Sequence, residues 1–349
     1  MPLPDLANGV RDFTSPRQPQ TQDCDVELPA SGRSERAIWF IVAAGLVGLL
    51  FACNLLSFGI ALGSGLLAIT SNAVLLASAW LIERQGWLRI SGWLTATAQI
   101  GFVTILLTAL SYVLASTNLP MRDATLISLD QAVGIDWRSL VKSMMDQQRL
   151  MFVLNVAYAS LHYQCPLLML LLFLFGHHEK GMQFTLVWSI TLAATVLIFP
   201  FAPALGGYLY YQLDPKDFPE VRIVAAWLFA PPLLAARDGS LNVIELTTLD
   251  GIITFPSFHA AAAILLGWHW ISIPLLRWPT IPLNALMLVS TVPVGGHYII
   301  DVIAGSLLSV VAIIAVRAWD SMGQRNPRSA TAHERRCATS SPASRSRLS

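Results

Sequence analysis

Two histidines and one aspartate stand out by where they fall. His259, His297 and Asp301 interrupt otherwise lipid-compatible sequence, in "ITFPSFHAAAAILLGWHW" (253–270) and "STVPVGGHYIIDVIAG" (290–305). Ionisable groups at membrane depth cost ~2.5–3.5 kcal/mol on insertion scales, so those present are functional candidates. His297 and Asp301 are four apart and share one helical face, with the carboxylate one turn deeper. A carboxylate there can hold the imidazole N–H, fix its tautomer and stabilise its charged form, which makes a histidine a nucleophile or base. Pro256 and Ser257 open the helix that carries His259, so its first free amides and the Ser257 hydroxyl point to where a phosphate could sit. Gly295 and Gly296 allow close backbone approach to a bulky ligand. Phosphoryl transfer is the natural chemistry of such a set. His269, between two tryptophans, is expected to be structural, and Arg277 in "LLRWP" is an ordinary snorkelling charge.

The elements that must position these residues are membrane helices. Of 349 residues 54% are hydrophobic and only 12% charged, and Ala37 to Ile82 contains no Asp, Glu, Lys or Arg. Those 46 residues are room for two spans, since one span needs about 20. Charge-poor windows at 37–57, 62–82, 91–116, 149–174, 184–205, 252–273, 279–294 and 298–318 predict an all-α, polytopic bundle of about eight transmembrane helices. An even number puts both termini on one side. In that arrangement 15 of the 22 Lys and Arg lie with the termini, which the positive-inside rule makes cytoplasmic.

Outside the windows the chain divides into a polar tail (1–36), an outward segment (117–148) between three N-terminal spans (37–116) and a membrane core (149–318), and a basic tail (319–349) expected to be disordered. The first apolar stretch is too long for a secretory signal and reads as a retained span. In the outward segment Asp136 is placed to cap a helix whose Trp137, Leu140, Val141 and Met144 share a face, either lying in the interface or packed on the bundle. Cys24, Cys53, Cys165 and Cys337 show neither disulfide nor metal-ligand spacing. A net charge of +1 without a basic stripe sets nucleic acid aside.

These residues resemble the type 2 phosphatidic acid phosphatase (PAP2) superfamily, whose signature runs K-x6-R-P, then P-S-G-H, then S-R-x5-H-x3-D. Pro256, Ser257 and His259 match the second part, with Phe258 in place of its glycine. Ser290, His297 and Asp301 match the third, with Thr291 in place of its arginine, and the first part is absent. "FPSFHAA" and "GGHYIIDVIAG" are similar to the branch related to inositol phosphorylceramide synthases, which keeps the His, His, Asp set.

The resemblance implies a PAP2-like core in the C-terminal half and a double displacement. In it His297 attacks phosphorus, Asp301 orients and charges it, and His259 protonates the leaving oxygen. Ser257 and the amides at 257–259 and 296–297, hence Phe258 and Gly296, would hold the nonbridging oxygens. No cofactor and no metal is called for. The missing family cations need a substitute beside Asp301. Arg237 in "AARDGS" is the best placed, with Lys216 and Arg222 behind it.

The function expected is a phosphatase acting on a phospholipid or polyisoprenyl phosphate at the outer face of a bacterial cytoplasmic membrane, with membrane lipids as its surroundings. The alternative is a phosphotransferase that moves a phospho-headgroup to an alcohol. Bis-histidine haem ligation would leave Ser257 and Asp301 without a purpose. A decayed scaffold would not have kept all three chemical groups.

Overall fold

The computed structural model describes residues 31–214, 216 and 225–324. Its helices are α1 (Ser31–Leu56), α2 (Leu62–Arg84), α3 (Leu88–Ala115), α4 (Asp123–Ala132), α5 (Trp137–Met145), α6 (Gln148–Ala159), α7 (Leu161–Leu174), α8 (His178–Ile198), α9 (Gly207–Tyr210), α10 (Ala225–Leu228), α11 (Ala230–Asp238), α12 (Phe258–Trp270), α13 (Arg277–Ser290) and α14 (Ile299–Gln324). Two residues before α2, β1 (Gly59–Ile60), pair in parallel with β2 (Val243–Ile244). The chain is thus nearly all-α.

The eight apolar windows are not matched one for one by helices of membrane-crossing length. Among the described residues five helices are long and apolar enough to cross a bilayer, namely α1, α2, α3, α8 and α14. The pair α6 and α7, bent by 45° at Ser160, makes a sixth if it is one span. The windows expected at 252–273 and 279–294 hold α12 and α13, of 13 and 14 residues. At 1.5 Å per residue each is about 20 Å long, short of the ~30 Å hydrocarbon layer. Hydropathy windows count apolar residues whatever their conformation, and here the residues flanking α12 and those from Thr291 to Tyr298 are not helical.

Burial sorts the long helices into layers. In the most apolar stretch of α3 and α8, 61% and 67% of residues are buried, against 28% and 22% in α1 and α2. The first two helices therefore face lipid with side chains such as Phe40, Leu62 and Leu66, while α3 and α8 form the spine. Against that spine pack α12 and α14, with α13 and α6 beyond them. The last helix runs on to Gln324 through the first six residues of the expected tail; the remainder of both tails lies outside the described residues.

Helix α5 is packed rather than laid on a surface. Asp136 caps it by accepting the Arg138 amide and the Ser139 hydroxyl, which holds its carboxyl below the usual range. Trp137, Val141 and Met145 are buried against the core and Leu140 and Met144 partly so, while Arg138, Ser139 and Lys142 stay exposed.

Candidate active site

The site begins at the mouth of α12. Ser257 is the N-cap, its hydroxyl oxygen accepting the Ala260 amide at 3.2 Å. Four consecutive alanines, Ala260 to Ala263, follow and are buried; their high helix propensity and small size let α12 sit close to its neighbours. The closest neighbour is α14. The Ser257 amide donates to the Asp301 carbonyl at 3.1 Å, and one turn on a side chain at Gly305 would collide with the Ser257 carbonyl. This crossing sets His259 opposite the start of α14. The amides of Phe258 and His259 have no acceptor among the described residues, so the positive end of α12 is open.

At the start of α14 the His297 Nδ1 faces Asp301 Oδ2 at 3.5 Å, an ion-pair distance longer than a normal hydrogen bond. The same Oδ2 accepts the Tyr298 amide at 2.9 Å, while Oδ1 is buried without a partner among the described residues. Asp301 is fully buried and His297 is 5% exposed, so the pair is insulated from bulk solvent. With Nδ1 turned to the acid, Nε2 is the nitrogen left for chemistry.

His259 lies flat against Tyr158 of α6, and its Nε2 is buried with no partner among the described residues. Its electrostatic neighbours are the imidazoles of His297 and His162. Gly295 shows how tightly the parts meet: a Cβ there would stand 2.9 Å from His297 Cδ2 and 3.1 Å from Tyr158 Cε2. The two helix mouths thus bring His259, His297, Asp301 and Ser257 together.

The mouth of α14 differs from that of α12. Asp130 of α4 accepts the Ile299 and Ile300 amides, each at 2.9 Å, and the Asp301 amide donates to Tyr298 at 3.1 Å. With Tyr298 on Asp301, every amide from 298 to 301 is taken. Asp123 of α4, seven residues before Asp130 and so on the same face, accepts the Leu205 and Gly206 amides and the Tyr298 hydroxyl. Burial pushes the Asp130 carboxyl up, against the downward pull of its two amides. Three buried carboxylates, Asp123, Asp130 and Asp301, therefore surround the His297 segment.

Several expectations need correction. The Gly296 amide donates to Val292 at 3.0 Å and the His297 amide to Thr291 at 3.2 Å, so neither has a proton for a phosphate. The Ser257 amide is likewise spent, which reduces the donors at hand to the Phe258 and His259 amides and the Ser257 hydroxyl. Gly296, at φ +75°, approaches protein rather than ligand: its carbonyl accepts the Gly207 amide at 2.9 Å. Arg237 donates to the Leu119 carbonyl at 2.8 Å, bracing the link between α3 and α4. Lys216 is exposed, and Arg222 lies outside the described residues. His269 is buried, with Nδ1 2.7 Å from the Leu265 carbonyl and its ring edge-on to Phe184.

Sequence reasoning missed Tyr158, Asp123 and Asp130, and it saw Trp137 only as part of an apolar face. Two aspartates seven apart in an amphipathic segment were the available signal for α4. No group of three His, Cys, Asp or Glu among the described residues is arranged to hold a metal ion.

The fold is that of a helical protein with several helices apolar enough to span a membrane, and its candidate site lies where α12 and α14 begin. The family model described as PAP2 superfamily matches residues 124–315, more than half of the 349-residue chain, and the chain belongs to that superfamily. The match takes in α4 and α5, which the sequence pattern set apart from the core. Membership points to phosphatase or phosphotransferase activity on lipids. Neither a curated protein nor a solved structure matches the chain.

Proposed function

We propose that the protein is an integral-membrane lipid phosphatase that acts on a phospholipid or polyisoprenyl phosphate. The observation that carries this reading is the open mouth of α12, with two free amides and an unpartnered His259 Nε2, facing a histidine backed by a buried acid. In the proposed reaction the lone pair of His297 Nε2 attacks phosphorus. The bond to the ester oxygen breaks, its electrons leave with that oxygen, and His259 supplies the proton. Asp301 stabilises the charge that develops on His297, while the Phe258 and His259 amides and the Ser257 hydroxyl hold the nonbridging oxygens. Water then attacks phosphorus, gives its proton to His259, and the phosphorus–nitrogen bond breaks.

We place the protein in a bacterial cytoplasmic membrane with the site outward: with α6 and α7 taken as one span, six spans still put both termini on one side, together with most of the Lys and Arg. The second reading, transfer of a phospho-headgroup to an alcohol as in the inositol phosphorylceramide synthase branch, is favoured by one feature. Three buried carboxylates beside His297 repel a phosphomonoester dianion more than a phosphodiester with one charge. Purified protein is given a panel of lipid phosphates and phospholipids, each with and without inositol or diacylglycerol. Inorganic phosphate released without acceptor supports the phosphatase, and acceptor-dependent headgroup transfer supports the transferase. Neither, with protein that is folded, rejects both.

A further inference from the structure

The His297 carbonyl lies one residue before the ladder of α14, whose first turn closes on the Tyr298 carbonyl, the acceptor of the Val302 amide at 3.3 Å and the Asp301 amide at 3.1 Å. The His297 carbonyl is left out of the ladder in a buried place, where an unpaired acceptor is costly. It is satisfied from far along the chain, by the indole N–H of Trp137 at 2.9 Å. The other end of the same peptide group is also held, because the Tyr298 N–H donates to Asp301 Oδ2, the oxygen that faces the His297 imidazole. The plane between His297 and Tyr298 is therefore pinned at both ends, and tilting it would move the imidazole and its acid together.

Trp137 is fixed well enough to act as that pin. It is 1% exposed, stacked on Tyr211 with planes 16° apart and met edge-on by Tyr208 and Tyr298. A side chain at Gly207 would collide with its indole. Packing alone does not require tryptophan here, since Phe supplies an aromatic face; what Phe lacks is the N–H donor.

We infer that Trp137 is a positioning residue for His297: its indole N–H, through the His297 carbonyl, sets the angle at which the imidazole meets Asp301. The inference rests on the reading of His297 as the nucleophile. It makes α5 a working part of the site.

The test compares full-length wild-type protein and Trp137→Phe in detergent micelles. Phosphate release is measured on the lipid phosphate that the wild type turns over fastest, and carbethoxylation of individual histidines by diethylpyrocarbonate is followed by mass spectrometry. The expected result is a kcat at least tenfold lower with KM within twofold. The modification rate of His297 should change at least threefold, with that of His177, at the start of α8, unchanged. A variant with wild-type kcat and a wild-type rate at His297 overturns the inference. Should the wild type turn over no lipid phosphate, the proposed function fails while the His297 rate still decides the role of Trp137. Should Trp137→Phe not fold, Gly207→Ala takes its place, because its methyl group pushes the indole off the carbonyl without removing it. Both measurements are repeated on that variant: a lower kcat with a changed His297 rate supports the role of Trp137, and wild-type values in both overturn it.

Discussion

Tyr158 lies flat on His259, the ring centroids 4.0 Å apart and the planes 6° from parallel. The stack fixes the plane of an imidazole whose own Nε2 has no partner among the described residues. Aromatic pairs of this kind are worth ~0.5–1.5 kcal/mol beyond the area they bury. Tyr158→Ala should therefore lower kcat by roughly three- to tenfold, and Tyr158→Phe, which keeps the face, should stay near wild type. Steady-state phosphate release from both variants checks this. An equal loss in the two would assign the effect to the hydroxyl instead.

His297→Ala and His259→Ala should abolish turnover while the protein still elutes as a folded species in detergent. Asp301→Asn should cost about 10³–10⁴ in kcat, by analogy with the loss of the acid in other histidine-based triads. Rates are compared at matched amounts of folded protein. Full activity of the His297 variant would remove the basis of the proposed mechanism.

The crossing of α12 and α14 depends on a hydrogen atom at Gly305. Gly305→Ala drives a methyl group into the Ser257 carbonyl, and overpacking of this kind costs ~1–3 kcal/mol. Gly267, on the same α12, has room: a Cβ there would make an ordinary 3.7 Å contact with Asn284. Thermal melts should show Gly305→Ala with a lower Tm and poor activity. Gly267→Ala should be neutral or slightly more stable, because Ala is the better helix former.

Asp130 binds two amides at once, so its removal should be felt at the start of α14. Asp130→Ala leaves the Ile299 and Ile300 amides unsatisfied in a partly buried setting, at ~1–3 kcal/mol for each such group at most. Asp130→Asn, which keeps one acceptor oxygen, should lose less. The order wild type, Asn, Ala in Tm is the expected outcome; an Asn variant no better than Ala would mean that the charge matters more than the geometry.

The chemical pair and the opposing histidine were legible because their signals are local. A spacing of four residues and a proline-serine helix start need only one turn of chain to be read. The misread positions are loop amides. That Gly296 and His297 donate to Val292 and Thr291 follows from how the turn closes, which residue types alone do not show. The unseen partners are non-local. Trp137 reaches His297 across 160 positions, and Asp123 reaches Tyr298 across 175. The count of about eight spans is not confirmed, for another reason. Hydropathy marks what tolerates lipid, and α12 and α13 tolerate it without being long enough to cross it.

Because Asp130, Asp301 and Tyr298 take the amides from 298 to 301 at the head of α14, the free backbone donors at the site among the described residues lie on the α12 side. On the proposed reading, a phosphodiester lodged there would have one favourable way to lie, so its two nonbridging oxygens would not be equivalent to the protein. For a phosphodiester, replacing one or the other of those oxygens by sulfur gives mirror arrangements at phosphorus, and a pocket with a single electropositive wall will accept one and refuse its twin.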